Sequence, residues 1–370
     1  MKIDRIAAEI DAIAPLKLAQ SWDNVGFLIG DRDREIRRIL VTIDITRDVV
    51  AEAKSVEADL IVSYHPVIWD GLKKITADGP AGVVYELIHA GIGVYSIHTS
   101  LDVVAGGVND ALADVLGLVD CTPIGDYVDD PAGPLYKLIT FVPVADVDKV
   151  AEAVHAAGAG QIGNYAKCSF RVQGTGTFVP LEGAKPAIGQ EGKLETVQEV
   201  RFESIVPADK VAAVIAAMRK AHPYETPAFD VVRHWDFEKV FGLGRMGRLR
   251  EPQAVEKLLP HIKEVTGAGA VGIVGDPRRI ARTAAVCAGT CGGLINTVID
   301  RKCDLYLTGE LKHHHALLAQ EAGLTCICLS HTVSERFALK NLVKQLKKRL
   351  PTVTIWQSDK DKDPFVWKTI

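Results

Sequence analysis

The 370-residue chain has no excess of either charge: 43 Lys and Arg stand against 47 Asp and Glu, a formal net charge of −4. That balance argues against a general binder of nucleic acid or of anionic membranes. The longest basic cluster, Lys344-Gln345-Leu346-Lys347-Lys348-Arg349, reads as the solvated face of a helix. No apolar run approaches the roughly 18 residues of a membrane span. The opening Met1-Lys2-Ile3-Asp4-Arg5 has no apolar stretch of the kind a secretory leader carries. Nor is there an even set of cysteines. The seven are scattered, and several lie in apolar surroundings such as Thr325-Cys326-Ile327-Cys328-Leu329, the pattern of reduced core thiols. A cytoplasmic, soluble protein with neither membrane nor nucleic-acid partner is expected, and the length suggests two or three domains.

What is present is strand–helix alternation. Short aliphatic runs at 39–44, 60–64, 92–97, 283–288, 305–308 and 325–329 read as strands buried on both faces. Amphipathic stretches at 47–55, 81–90, 108–116, 254–265, 311–322 and 334–350 separate them. This predicts an α/β fold, a doubly wound domain split into two similar halves. The middle of the chain differs. It holds two strand–helix–strand units, one around Asp148-Lys149 and one around Asp209-Lys210, which together predict an inserted ferredoxin-like α+β domain. Turn-rich, charged segments at 129–134 and 235–239 flank it. The expected domains are residues 1–128, an insert at 129–237, and residues 238–370.

A second duplication carries chemistry. Asp59-Leu60-Ile61-Val62-Ser63-Tyr64-His65 has the spacing of Asp304-Leu305-Tyr306-Leu307-Thr308-Gly309-Glu310, each closing a strand on a ligand-type residue. Downstream, each half delivers His-Thr-x-x-acid just past a strand: His98 to Asp102 and His331 to Glu335. In open α/β sheets ligands bind at the carboxyl ends of strands. A helix starting at each histidine puts imidazole and carboxylate on one face. Imidazoles converging with carboxylates, and no thiolate, suit Zn, Mn, Fe, Co or Ni, and a pair of such ions suits hydrolysis at neutral pH. The alternative for any single histidine is a hydrogen-bonded structural role. His313-His314-His315 point in different directions on a helix, so at most one or two face a site. The turn Cys287-Ala288-Gly289-Thr290-Cys291-Gly292-Gly293 is either a tight turn or a phosphate cradle. His222 of His222-Pro223-Tyr224-Glu225 reads as a helix-end residue.

Several motifs, in order, resemble one family: Ser21-Trp22-Asp23-Asn24-Val25-Gly26 with Gly30, Ser63-Tyr64-His65-Pro66, His98-Thr99-x-x-Asp102, Thr308-Gly309-Glu310-x-x-His313-His314 and His331-x-x-x-Glu335. It is the Nif-three-like family, also called GTP cyclohydrolase I type 2 homologues, and the insert resembles the PII/CutA-like domain of its longer bacterial members. The resemblance implies two divalent ions held by His65, His98, Asp102, His331 and Glu335, and a ring-like, usually hexameric, self-assembly. It also implies a metal-dependent hydrolase acting on a nucleotide or similar cyclic amide, with Glu310, His313 or His314 moving protons. One position departs from the pattern. Many members have two adjacent histidines where this chain has Tyr64-His65, and a phenol with a pKa of about 10 is a poor ligand. The second ion is therefore expected to be weakly held or missing. The rival expectation is a non-catalytic metal carrier, or a regulator whose insert senses a small molecule.

Overall fold

A computed structural model of the chain describes residues 1–128, 133–234, 241–366 and 368. Most of both expected linkers therefore lies outside the described residues. The chain opens with α1 (Ile3–Asp11), β1 (Gly26–Ile29), β2 (Arg38–Thr42), α2 (Arg47–Ser55), β3 (Leu60–Ser63), α3 (Gly82–Ala90), β4 (Gly93–Ser96), α4 (His98–Val103), α5 (Val108–Val115), β5 (Leu118–Thr122) and β6 (Gly125–Val128). A middle segment follows with β7 (Leu135–Pro143), α6 (Val147–Ala156), β8 (Ser169–Phe178), β9 (Glu195–Pro207), α7 (Val211–Ala221) and β10 (Phe229–Arg233). The remainder is β11 (Phe241–Leu243), β12 (Arg245–Ala254), α8 (Leu259–Thr266), β13 (Gly272–Val274), β14 (Ile280–Cys287), α9 (Ile295–Asp300), β15 (Leu305–Thr308), α10 (His313–Glu321), β16 (Thr325–Cys328), α11 (His331–Arg336), α12 (Leu339–Arg349) and β17 (Thr354–Gln357).

The fold is mixed α/β, in two compact units: Met1–Asp129 with Val240–Ile370, and Asp130–Lys239. The first unit contains a sheet ordered β1-β4-β3-β2-β17 and another ordered β13-β16-β15-β14-β12-β5. Each has a parallel core flanked by reversed strands: β17, β2, β3 and β4 run parallel with β1 reversed, and β14, β15 and β16 run parallel with β13 and β12 reversed. All four residues of β3 and of β15 are buried, which is why these runs carry no polar alternation. One continuous core of Val41, Leu60 and Val62 from the first sheet with Leu305, Leu307 and Ile327 from the second joins the halves.

The internal duplication reaches into polar detail. Asp59 accepts the backbone N–H groups of Arg37 and Arg38 at 2.8 and 3.0 Å, tying β3 to β2. Asp304 accepts those of Arg282 and Thr283 at 2.9 and 3.2 Å, tying β15 to β14. Gly91 and Gly323 then adopt φ of 65° and 70°, the left-handed turn that ends a helix and starts the next strand.

In the second unit the sheet order is β10-β7-β9-β8, antiparallel throughout. Val200, Phe202 and Leu138 pack under Val150, Val154, Val214 and Met218 of α6 and α7, so among the described residues both of this unit's α-helices cover the same face of its sheet.

Candidate metal centre

The centre forms where the carboxyl ends of the two parallel sheets meet. His65 follows β3, His98 opens α4 after β4, Glu310 follows β15, and His331 opens α11 after β16. Aiming His331 takes backbone strain: Ser330 adopts φ +84°, a conformation that costs a non-glycine residue energy. Ser330 is held there by its N–H to Gly309 O at 2.9 Å and by its hydroxyl to Asp363 at 2.5 Å.

His65, His331 and Glu335 come together, with one ligand atom from each within 4.8 Å of the others. Every histidine at the site has a carboxylate on Nδ1: Asp44 on His65 at 2.9 Å, Asp23 on His98 at 2.9 Å, and Glu310 on His331 at 3.0 Å. A carboxylate there fixes the tautomer with the proton on Nδ1 and leaves Nε2 as a bare lone pair. The Nε2 atoms of His65 and His331 then face Glu335 Oε2 and Oε1 at 3.6 and 3.3 Å. Acceptors face acceptors, and Glu335 Oε2 is buried with no hydrogen-bond partner. Burial, with the charges of Asp102, Asp44 and Glu310, pushes the Glu335 carboxyl well above its usual range. A divalent cation at the meeting point relieves all of this at once, so the residues present fit a metal.

His98 and Asp102 lie beside this triad. The His98 ring centroid is 5.1 Å from that of His65. Asp102 is buried, which raises its carboxyl pKa, and the Tyr64 hydroxyl donates to it. Burial and the Asp102 and Glu335 charges in turn push the Tyr64 phenol well up. Tyr64 is thus a hydrogen-bond donor occupying one oxygen of an expected ligand, and not a ligand itself. Asp23 feels burial as an upward push, but the hydrogen bonds from His98 and Thr99 outweigh it and keep the carboxylate ionised. It accepts the Thr99 N–H at 3.0 Å and so anchors the first turn of α4.

Glu310 is held below its ordinary range by the Thr290 hydroxyl and by His331. His313 and His314 open α10 exposed to solvent; among the described residues neither has a hydrogen bond or ring contact with the triad. The turn after β14 faces carboxylates, not an anion pocket: Thr290 donates to Glu310, and a Cβ on Gly289 would sit 2.5 Å from Glu335 Oε1. Its glycine makes room for the site, and a phosphate is not what it meets. Cys287 and Cys291, read from sequence as reduced thiols, have their sulfurs side by side in this turn. The turn brings their Cα atoms to 6.0 Å, ordinary disulfide reach, which an apolar sequence context does not reveal.

Asp44 and Asn109 escape sequence reasoning as site residues. Asp44 ends the run after β2 as His65 ends the run after β3, a shared position at the sheet edge that was available as a signal. Asn109 donates to Asp102 O at 3.0 Å and accepts from Ala288 N at 2.9 Å, a staple between halves that only the tertiary fold exposes. Trp22 and Trp69, 63% and 54% exposed, stand at the mouth with ring centroids 5.9 and 5.2 Å from that of His98.

Residues 1–364 match the family model described as Duf34/NIF3 (NGG1p interacting factor 3). A Halalkalibacterium halodurans protein named GTP cyclohydrolase 1 type 2 homolog is 36% identical over 358 residues, 96% of this chain and 95% of its own. A Bacillus subtilis protein of the same name is 36% identical over 363 residues, 96% of each. The crystal structure of a Bacillus cereus protein related to NIF3 aligns with TM-score 0.80 and 34% identity, covering 100% of this chain and 99% of that one. In no helix among the described residues is there the length and apolarity to cross a membrane. Sequence and structure together place this chain in the Duf34/NIF3 family.

Proposed function

We propose that the chain is a metal-dependent hydrolase that opens or cleaves a flat, nucleotide-like substrate at the His65–His331–Glu335 centre. The observation that carries the reading is the confrontation of two imidazole lone pairs with the buried, unpaired Glu335 oxygen. A divalent ion supplies Lewis acidity and water made acidic enough to react at neutral pH. The chain's own residues supply the rest. Asp44 and Glu310 hold the protons on Nδ1 of His65 and His331. Glu310, half exposed and hydrogen-bonded to Thr290, accepts and returns a proton at the mouth, with His313 and His314 as further carriers in the same proposal. Trp22 and Trp69 present exposed rings on which a base stacks. The family name of the relatives directs the first substrate trial to GTP.

His98 with Asp102 forms the second ion's place, which Tyr64 weakens by holding Asp102. That contact favours a second reading, a non-catalytic one-ion metal carrier. The remaining parts of the proposal are the ferredoxin-like nature of the inserted unit, supported by its antiparallel β10-β7-β9-β8 order, and assembly into a hexameric ring, which light scattering tests. Incubating metal-loaded protein with GTP and following product by chromatography decides between enzyme and carrier. Turnover lost in His331→Ala and Asp102→Ala supports the hydrolase. Turnover retained in either variant places the chemistry elsewhere, and metal at the triad with no turnover favours the carrier.

A further inference from the structure

Ser330 stands in a backbone region that is all but reserved for glycine. Its φ of +84° comes with ψ of 156°, outside even the left-handed helical well that other residues occasionally visit. Such a conformation persists only where the surroundings hold it, and it is stored where function needs a fixed geometry. The next residue here is His331, with Glu335 four further on, both on the six-residue α11. What holds α11 is the segment that follows β17.

Topology delivers that segment to the site. β17 runs parallel to β2, pairing Gln357 with Val41. The chain therefore leaves β17 at the carboxyl edge of the sheet, where Asp44 and His65 follow β2 and β3. Ser358 extends the pairing by donating its N–H to Val41 O at 2.7 Å. The segment then grips both ends of α11. At the start, Asp363 Oδ2 accepts the Ser330 hydroxyl at 2.5 Å. At the end, Arg336 donates from Nη2 to Ser358 O at 2.8 Å and from Nε to Asp361 Oδ1 at 2.8 Å. Asp361 is 1% exposed, and its other oxygen accepts the Ile43 N–H at 3.0 Å. Ile43 precedes Asp44, the carboxylate on His65 Nδ1. One buried carboxylate thus joins the helix that carries His331 and Glu335 to the turn behind His65, and gives Asp363 a fixed base.

We propose that Asp363 is a positioning residue of the metal centre, with Asp361 as its anchor. By holding the Ser330 hydroxyl it keeps Ser330 at its strained angles, and so fixes the direction from which His331 enters the site. The inference rests on the reading of His65, His331 and Glu335 as a metal centre. It also gives a serine at position 330 a purpose: glycine adopts the same angles freely but offers the segment no hydroxyl to hold.

The test is the zinc affinity of the full chain, by competition with a chelating dye, with circular dichroism reporting the fold. Ser330→Ala keeps a side chain at the strained angles and loses the hydroxyl, so zinc should bind about tenfold more weakly. Ser330→Gly loses the hydroxyl and the strain together, and should stay within about threefold of wild type. Asp363→Ala should match Ser330→Ala, while Asp363→Asn, whose amide still bonds the hydroxyl, keeps its affinity. Added to Ser330→Gly, Asp363→Ala should cause no further loss, a non-additivity that a general scaffolding role does not produce. If Asp363→Ala fails to fold, the two Ser330 variants decide. Zinc affinity that His331→Ala leaves unchanged refutes the metal centre and this inference with it. A His331-dependent affinity refutes the positioning role alone under any of three results: Ser330→Ala binds like wild type; Ser330→Gly is as weak as Ser330→Ala; or Asp363→Ala costs the same with and without Ser330→Gly.

Discussion

Glu335→Gln separates the cost of the bare centre from the gain it makes on binding metal. Without a cation, Glu335 Oε2 is buried and unpaired, opposite the Nε2 lone pairs of His65 and His331. A buried acceptor without a partner costs about 1–3 kcal/mol. The glutamine amide has the same shape and donates to an Nε2, so at a pH above the raised Glu335 pKa, where the carboxylate is ionised, the metal-free variant should gain about 2 kcal/mol, a rise in Tm of roughly 4–8 °C. In the loaded protein the sign reverses. Losing the anionic ligand removes about 3 kcal/mol of attraction, on the order of 100-fold in affinity. With zinc at 100 times the wild-type Kd, the native chain gains about 2.7 kcal/mol of stability. The variant, then near its own Kd, gains only about 0.4 kcal/mol. Thermal unfolding of both proteins in chelator and in zinc reads all four numbers. A variant that is less stable than wild type in chelator and keeps the full zinc shift refutes the acceptor-against-acceptor reasoning.

Three further outcomes are expected. Tyr64→His should raise the metal bound per chain by freeing Asp102 from the phenol and adding a donor beside His98; unchanged stoichiometry by elemental analysis counts against the proposed second place. Gly289→Ala should cut metal affinity at least tenfold, because its Cβ collides with Glu335 Oε1, and equal zinc titrations of the two proteins would contradict this. In the inserted unit, His222 donates from Nε2 to Phe141 O at 3.0 Å and accepts the Tyr224 N–H on Nδ1 at 3.1 Å, which only the neutral ring can do. Burial lowers its pKa from the ordinary 6.5. The unfolded chain therefore binds the proton first, so this contribution to stability is complete above about 6.5 and shrinks as the pH falls below it. Urea midpoints followed by tyrosine and circular dichroism signals from pH 8 to about pH 5 should fall in the wild type and flatten in His222→Gln; parallel curves would contradict the assignment.

The sequence was most legible where burial is complete on both faces of a strand. The runs that became β2, β3, β15 and β16 are nearly continuous and mostly aliphatic or β-branched, and 47–55 predicts α2 with its bounds. Strands outside the parallel centres were hidden. Arg245–Ala254 mixes apolar and charged residues and includes proline, and β1 is only the four residues Gly26–Ile29, opening on a positive-φ glycine. The helix expected over 334–350 is instead α11 and α12, broken near Phe337 with neither glycine nor proline to mark it, and α11 starts three residues earlier.

The same division runs through the centre. Its histidines were visible because they close buried strands, a local pattern. The carboxylates that set their tautomers were not visible in that role, since Asp23 reaches His98 across 75 residues of sequence and Asp44 reaches His65 across 21. Tyr64 could be read as a poor ligand from its phenol alone. That it instead ties down Asp102 required the two side chains to be seen together.

The central claim, a divalent cation between His65, His331 and Glu335, is tested most directly by crystallography of protein purified without a metal-affinity column, with anomalous scattering recorded across the Mn, Fe, Co, Ni and Zn edges. The account predicts an ion bonded to Nε2 of His65, Nε2 of His331 and the Glu335 carboxylate. An empty triad after soaking in each of these metals, or an ion held elsewhere while the triad stays empty, would contradict it.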